Sequence, residues 1–218
     1  MRSFADGLVV VVCVAATALH VTAPAESASR ESCSVARVEV DTSTAKKAVG
    51  MLPGEALGQT FDATATTIRA VVAWRPWWQT PNDSPMKLWI TEVDSVGMPL
   101  TDRVIQEGPV IQVVFGDSIN PIELRWNLDP PVELPNSGSY AVFVQQLCVG
   151  FFGLYISEAD VLGGGHLWRT ERSEFGGCYL REYPNAIVGR DLVFTVEFCE
   201  EGTPARRSTW GRVKSVYR

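Results

Sequence analysis

Apolar and polar residues alternate along much of this chain, a period of two that turns one face of an extended strand toward a core and the other toward water. The cleanest run sets Ile122, Leu124, Trp126 and Leu128 against Glu123, Arg125, Asn127 and Asp129. Ile68, Ala70, Val72 and Trp74 define a second strand, with Trp74 expected to continue its core face. Residues 140–147 form a third, and Leu192, Phe194, Val196 and Phe198 a last one that runs into Cys199. Shorter runs fall at 37–40, 59–61, 87–93, 110–115, 152–156 and 166–169. Turn-forming clusters separate them: Asn82-Asp83-Ser84-Pro85, Gly116-Asp117, Pro130-Pro131, Asn136-Ser137-Gly138 and Gly163-Gly164-Gly165. No long stretch keeps a helical period. About ten short strands, with no helices to cover a parallel sheet, predict an all-β fold, an antiparallel sandwich or barrel.

The ends of the chain follow other rules. Residues 1–25 have the layout of a secretory signal: Arg2, an apolar run from Leu8 to Leu19, and Ala23-Pro24-Ala25 as a small-residue cleavage site. The run is shorter than the roughly 20 apolar residues a membrane span needs, and Val12 before Cys13 is not the small residue of a lipoprotein signal. The mature chain is therefore expected to be secreted, extracellular or at the cell surface, with no transmembrane span. Its 193 residues after Ala25 suit one domain over 26–202. Residues 203–218 form a basic tail, with Arg206, Arg207, Arg212, Lys214 and Arg218 and no acid. The whole chain is formally −6, so setting those five charges aside leaves about −11 before the tail. That acidic balance argues against nucleic acid as a partner. The tail, with Trp210, Val213, Val216 and Tyr217 among its charges, is suited to contact an anionic surface.

Four cysteines follow the signal: Cys33, Cys148, Cys178 and Cys199. An even count in an oxidising compartment reads as two disulfides, for which three connectivities exist. First and last strands of a sandwich are often neighbours, which favours Cys33 with Cys199 and leaves Cys148 with Cys178. None of the four has the close spacing of a zinc knuckle.

Gly58-Gln59-Thr60-Phe61, the strand 66–74, and residues 87–94 followed by Ser95-Val96-Gly97-Met98-Pro99 resemble the front half of jelly-roll modules of secreted bacterial proteins. Pro130-Pro131-Val132-Glu133-Leu134 before Ser139-Tyr140-Ala141-Val142, and the three glycines before His166-Leu167-Trp168, are similar to the back half. The resemblance covers residues 56–198 and extends to galactose-binding-like and carbohydrate-binding modules. It implies a jelly-roll sandwich with an accessory binding role. The segment 209–218 also resembles, over its short length, a terminal segment of other exported bacterial proteins.

Candidate chemistry is sparse. A serine hydrolase needs a base beside its nucleophile, and His166, the one histidine after the signal, reads as an edge residue where a turn meets a strand. No Gly-x-Ser-x-Gly elbow, Walker loop or His-Glu-x-x-His pair occurs. Glu92 with Asp94, and Glu158 with Asp160, are the carboxylate pairs a glycoside hydrolase would need, yet each also reads as a strand end or turn. No cofactor is expected; calcium is the one ion whose oxygen ligands the loops offer, at Asn82-Asp83 or residues 158–160.

The aromatic loop after Trp74 carries the functional expectation. In Arg75-Pro76-Trp77-Trp78-Gln79-Thr80-Pro81-Asn82-Asp83, indoles stand beside amide and carboxylate groups on a proline-stiffened segment. Pyranose rings stack on indole while their hydroxyls need such partners. The ligand-binding candidates are therefore Trp77, Trp78, Asn82 and Asp83, in a non-catalytic module for carbohydrate or another cell-envelope component. The alternatives are a structural or adhesive surface protein without a small ligand, and a glycosidase using loop carboxylates.

Overall fold

The computed structural model describes residues 33–76, 84–113, 121–147, 152–171, 180 and 184–200. In chain order its strands are β1 (Ser34–Glu39), β2 (Lys47–Met51), β3 (Ala56–Asp62), β4 (Thr67–Arg75), β5 (Ser84–Val93), β6 (Pro99–Val113) and β7 (Ile122–Glu133). They continue with β8 (Ser139–Gln146), β9 (Phe152–Ser157), β10 (Leu167–Arg169), β11 (Asn185–Ile187), β12 (Asp191–Leu192) and β13 (Phe194–Glu200). A single 3-10 turn at Thr42–Thr44 interrupts them, and no α-helix occurs among the described residues.

Every strand pairing is antiparallel. One sheet has the order β1-β13-β4-β7, a second β11-β10-β3-β8-β5-β6, and a short third β12-β9-β2. The chain moves between the two larger sheets as it runs from β3 through β4 to β5, and again from β6 through β7 to β8. The result is an antiparallel β-sandwich, as the period-two pattern predicts.

Its interior is one cluster drawn from all three sheets. Ile68, Val71 and Ala73 of β4, Trp126 of β7, and Phe194 and Phe198 of β13 meet Leu57 and Phe61 of β3, Leu88 of β5 and Val142 of β8. Met51, Leu154 and Ile156 join from the short sheet. Phe61 bridges the layers, its ring 6.3 Å from that of Phe194 and 6.2 Å from that of Phe198. Burying such side chains contributes about 1.5–3 kcal/mol each, which makes the alternation an energetic instruction.

Three sequence expectations are corrected. Pro130-Pro131 does not turn the chain: β7 runs through both prolines to Glu133. Ile68 of β4 lies opposite Val132 and Ala70 opposite Asn127, so both prolines fall in the irregularity between these pairs, where no ladder bond asks for their N–H. The strands number thirteen among the described residues rather than about ten, because β2 and β11 carry no apolar–polar alternation and the run that begins at Leu192 is divided between β12 and β13. Trp74 does not continue the core face of β4. The register slips between Ile68 and Ala70, so Ile68, Val71 and Ala73 point inward, while Trp74, half-buried and still packed against the core cluster, sits opposite Glu123 and lines the polar outer face.

Cys33 and Cys199 are joined in a disulfide, as expected, beside the β1–β13 pairing of Val35 with Cys199. Cys148 and Cys178, the signal segment 1–25 and the tail 203–218 lie outside the described residues. No helix among the described residues is long and apolar enough to cross a membrane.

The outer face of the six-stranded sheet carries its own apolar layer. Ala56, Trp89, Ala141, Phe143 and Trp168 are buried there together with Leu180. Gly58 of β3 makes the layer feasible, since a Cβ at that position would lie 2.4 Å from the Phe143 ring. This second layer explains why every residue from Tyr140 to Gln146 is buried instead of every other one.

Candidate functional site

The outer face of the four-stranded sheet is polar, and the register sets its rows. Arg37 of β1, Glu197 of β13, Ala70 of β4 and Asn127 of β7 lie in one row. Glu39, Thr195, Val72 and Arg125 form the next, and Trp74 with Glu123 the last. Side chains of paired residues share a face. The small residues of β4 at the centre therefore leave a floor over which longer neighbours reach.

Arg125 crosses that floor to Glu197, its Nη2 donating to Oε2 at 2.5 Å and its Nη1 to Oε1 at 3.4 Å. Arg37 donates to the same carboxylate at 3.2 Å, and Arg69 Nε lies 3.8 Å away. Burial alone would raise the Glu197 pKa, but the Arg125 hydrogen bond and the charges of Arg125, Arg37 and Arg69 outweigh it and hold the carboxyl below its ordinary value. The side chain, only 7% exposed, is thus a fixed anion locking three guanidiniums in place.

Trp74 is half-buried beside this cluster, in a recess of about 200 Å³ that also takes in Asp41, Thr42, Glu123 and Thr195. The 3-10 turn brings Asp41 there. Its carboxylate accepts from the Ser43 N–H at 2.7 Å, a bond that lowers its pKa and keeps it ionised. An indole is thereby ringed by carboxylates, a hydroxyl and guanidinium groups. Such a surface can stack on an apolar ring face and bond the polar groups at its edge.

Trp77, Trp78, Asn82 and Asp83 lie outside the described residues. Their flanks are defined: Arg75 pairs with Ile122, Ser84 with Val113, and Met86 with Gln146. Strands β4, β5, β6, β7 and β8 therefore share one end, the end at which Trp74 sits. Arg75 is buried there with its guanidinium 5.2 Å from the centroid of the Phe152 ring, and burial lowers its pKa.

Of the residues proposed for hydrolysis or metal binding, the four carboxylates that are described have structural partners. Glu92 faces Arg103 at 3.6 Å, and Asp94 accepts from the N–H groups of Val96 and Met98 at 2.9 and 2.8 Å. Glu158 pairs with Lys47 at 3.6 Å, and Asp160 accepts from Gly163 N at 3.1 Å. Among the described residues, no three His, Cys, Asp or Glu side chains assemble into a metal site. His166 is exposed, and its ring meets the edge of Trp168 with centroids 6.4 Å apart.

Sequence reasoning missed the recess for two reasons. It assigned Trp74 to the core, and it read Glu123, Arg125, Thr195 and Glu197 only as the wet half of their strands. The available signal is that the polar positions of β7 carry Glu123, Arg125 and Asn127 in succession and those of β13 carry Thr195 and Glu197. No protein-family model matches the chain, and no curated protein matches it.

Proposed function

We propose that this chain is a secreted, non-catalytic binding module for carbohydrate, of the jelly-roll kind that its sequence resembles, and that the ligand lies across the outer face of the four-stranded sheet. The observation that carries this reading is the half-buried Trp74 indole, set among Asp41, Glu123, Thr195 and the Arg125–Glu197 pair. Trp77, Trp78, Asn82 and Asp83 follow within nine residues of Trp74 in the chain and extend the same surface in this reading. Export through the segment 1–25 places the module where envelope polysaccharides are met.

Affinity electrophoresis and calorimetry against a panel of soluble neutral polysaccharides and cell-wall oligosaccharides test the proposal. Trp74→Ala is expected to weaken a bound glycan by about tenfold or more, equivalent to about 1.4 kcal/mol. Glu123→Gln, at an exposed position, removes a rim acceptor without disturbing the core and is expected to weaken binding less. Binding lost in Trp77→Ala or Trp78→Ala but unchanged in both of these variants would move the site wholly to the loop. A folded chain that binds none of the panel would overturn the carbohydrate reading in favour of an adhesive or structural role.

A further inference from the structure

A second surface stands apart from the Trp74 face. β6 and β7 are the outermost strands of the two larger sheets, so each has one edge that no other strand pairs among the described residues. Between them runs a groove of about 390 Å³ along residues 105–109 and 127–133. Its floor is apolar, with Leu128 and Val132 buried and the exposed rings of Pro130 and Pro131 beside them. Its charges are all of one sign: Glu107, Asp129 and Glu133 line it, and no Lys or Arg does. Two of the three are already engaged, Glu107 with Lys87 and Glu133 with the Thr67 hydroxyl at 2.9 Å. Asp129 is exposed and enters none of the ion pairs among the described residues.

The last strand ends two strands away from this groove, and the chain's long acid-free basic segment follows it in sequence. Cys199 of β13 pairs with Thr67 of β4, and Thr67 pairs with Glu133 of β7. Glu133 therefore lies two strand spacings, about 10 Å, from the point where the described chain ends. Residues 201–218 follow, 18 in number, and an extended chain of that length spans about 60 Å, several times what the groove requires. From Arg206 onward they carry five positive charges, together with Trp210 and Tyr217, rings suited to packing on proline.

We propose that residues 203–218 dock back into the β6–β7 groove of their own chain, their cations against Asp129, Glu133 and Glu107 and an aromatic ring on Pro130-Pro131. The docked tail covers two open strand edges and neutralises this acidic seam. The proposal does not rest on the carbohydrate reading: the groove takes residues 127–133 of β7 and the Trp74 recess takes Glu123 and Arg125, with no lining residue in common.

Hydrogen exchange followed by mass spectrometry on the full chain tests it. Amides in 203–218 are expected to exchange more slowly than an unstructured peptide does, and faster as salt is raised. Asp129→Lys is expected to accelerate their exchange by about tenfold, as reversing one charge of a close pair does. Combining it with Arg206→Glu and Arg207→Glu is expected to restore protection, with exchange in β4 and β13 unchanged throughout as the control for folding. Exchange of the tail at the unstructured rate, or protection indifferent to Asp129→Lys, would overturn the proposal. Protection that grows with protein concentration would assign the groove to the tail of a second copy and overturn docking within one chain.

Discussion

Glu197 is the residue on which the outer face of the four-stranded sheet is organised. Its carboxyl is held below the ordinary glutamate value because the guanidiniums around it more than offset the penalty of burial. A group whose folded pKa is depressed contributes stability that is complete above its unfolded value, about 4.3, and that disappears as pH falls through the lower folded value. Urea midpoints measured from about pH 6 to about pH 2 are therefore expected to fall on the acid side. Glu197→Gln should lower stability by about 1–3 kcal/mol at neutral pH and flatten that acid limb. An acid limb unchanged in the variant would show that other carboxylates control it. Trp74 teaches the complementary lesson: its side chain was legible as large and aromatic, but the one-residue slip that turns it outward leaves no mark in the alternation of β4.

At the scale of elements, the legible strands are those whose sequence alternates apolar with polar residues: β7 from Ile122 to Asp129 and β13 from Phe194 to Phe198. One strand is legible only in part. β6 spans Pro99–Val113 but is broken in sequence by Gly108-Pro109 and pairs with β5 through three register shifts, so only its last part shows a pattern. β8, read at 140–147, lies within one residue of those bounds although it is buried on both faces. Loops are harder still, because their anchors come from far along the chain. Asp191 of β12 is fully buried and accepts from Val161 N at 2.6 Å, Leu162 N at 3.0 Å and Gln59 Nε2 at 2.8 Å. It thereby fastens the glycine-rich connection between β9 and β10 to the sandwich. Gly165 fits beneath it because a Cβ there would lie 2.1 Å from the Thr60 carbonyl oxygen. Asp191→Ala is expected to cost about 3 kcal/mol and to open residues 158–166 to proteases, read by urea unfolding and by mapping the first cleavage. A first cut elsewhere would count against this anchoring role. The Trp77–Asp83 candidates were legible as a loop, and the structure fixes the sandwich end at which that loop begins and returns.

For the whole molecule, the Cys33–Cys199 disulfide is legible from cysteine parity and strand order. It joins residues 166 positions apart, so it restrains almost the entire unfolded chain. Such a link is expected to contribute about 3–5 kcal/mol. Replacing both Cys33 and Cys199 with serine should lower the urea midpoint accordingly, with near-native far-ultraviolet circular dichroism below the transition. A midpoint equal to that of the parent would assign the stability to the buried interlayer alone.

The same link bears on how the molecule transmits force. Cys33 directly precedes β1, and Cys199 is the penultimate residue of β13, so both ends of the chain leave the sandwich beside a single covalent bridge. Tension applied between a tethered carboxyl terminus and anything attached ahead of residue 33 runs through two sulfur atoms and bypasses the hydrogen-bonded ladders. A module held by its tail would keep its sheets slack under shear.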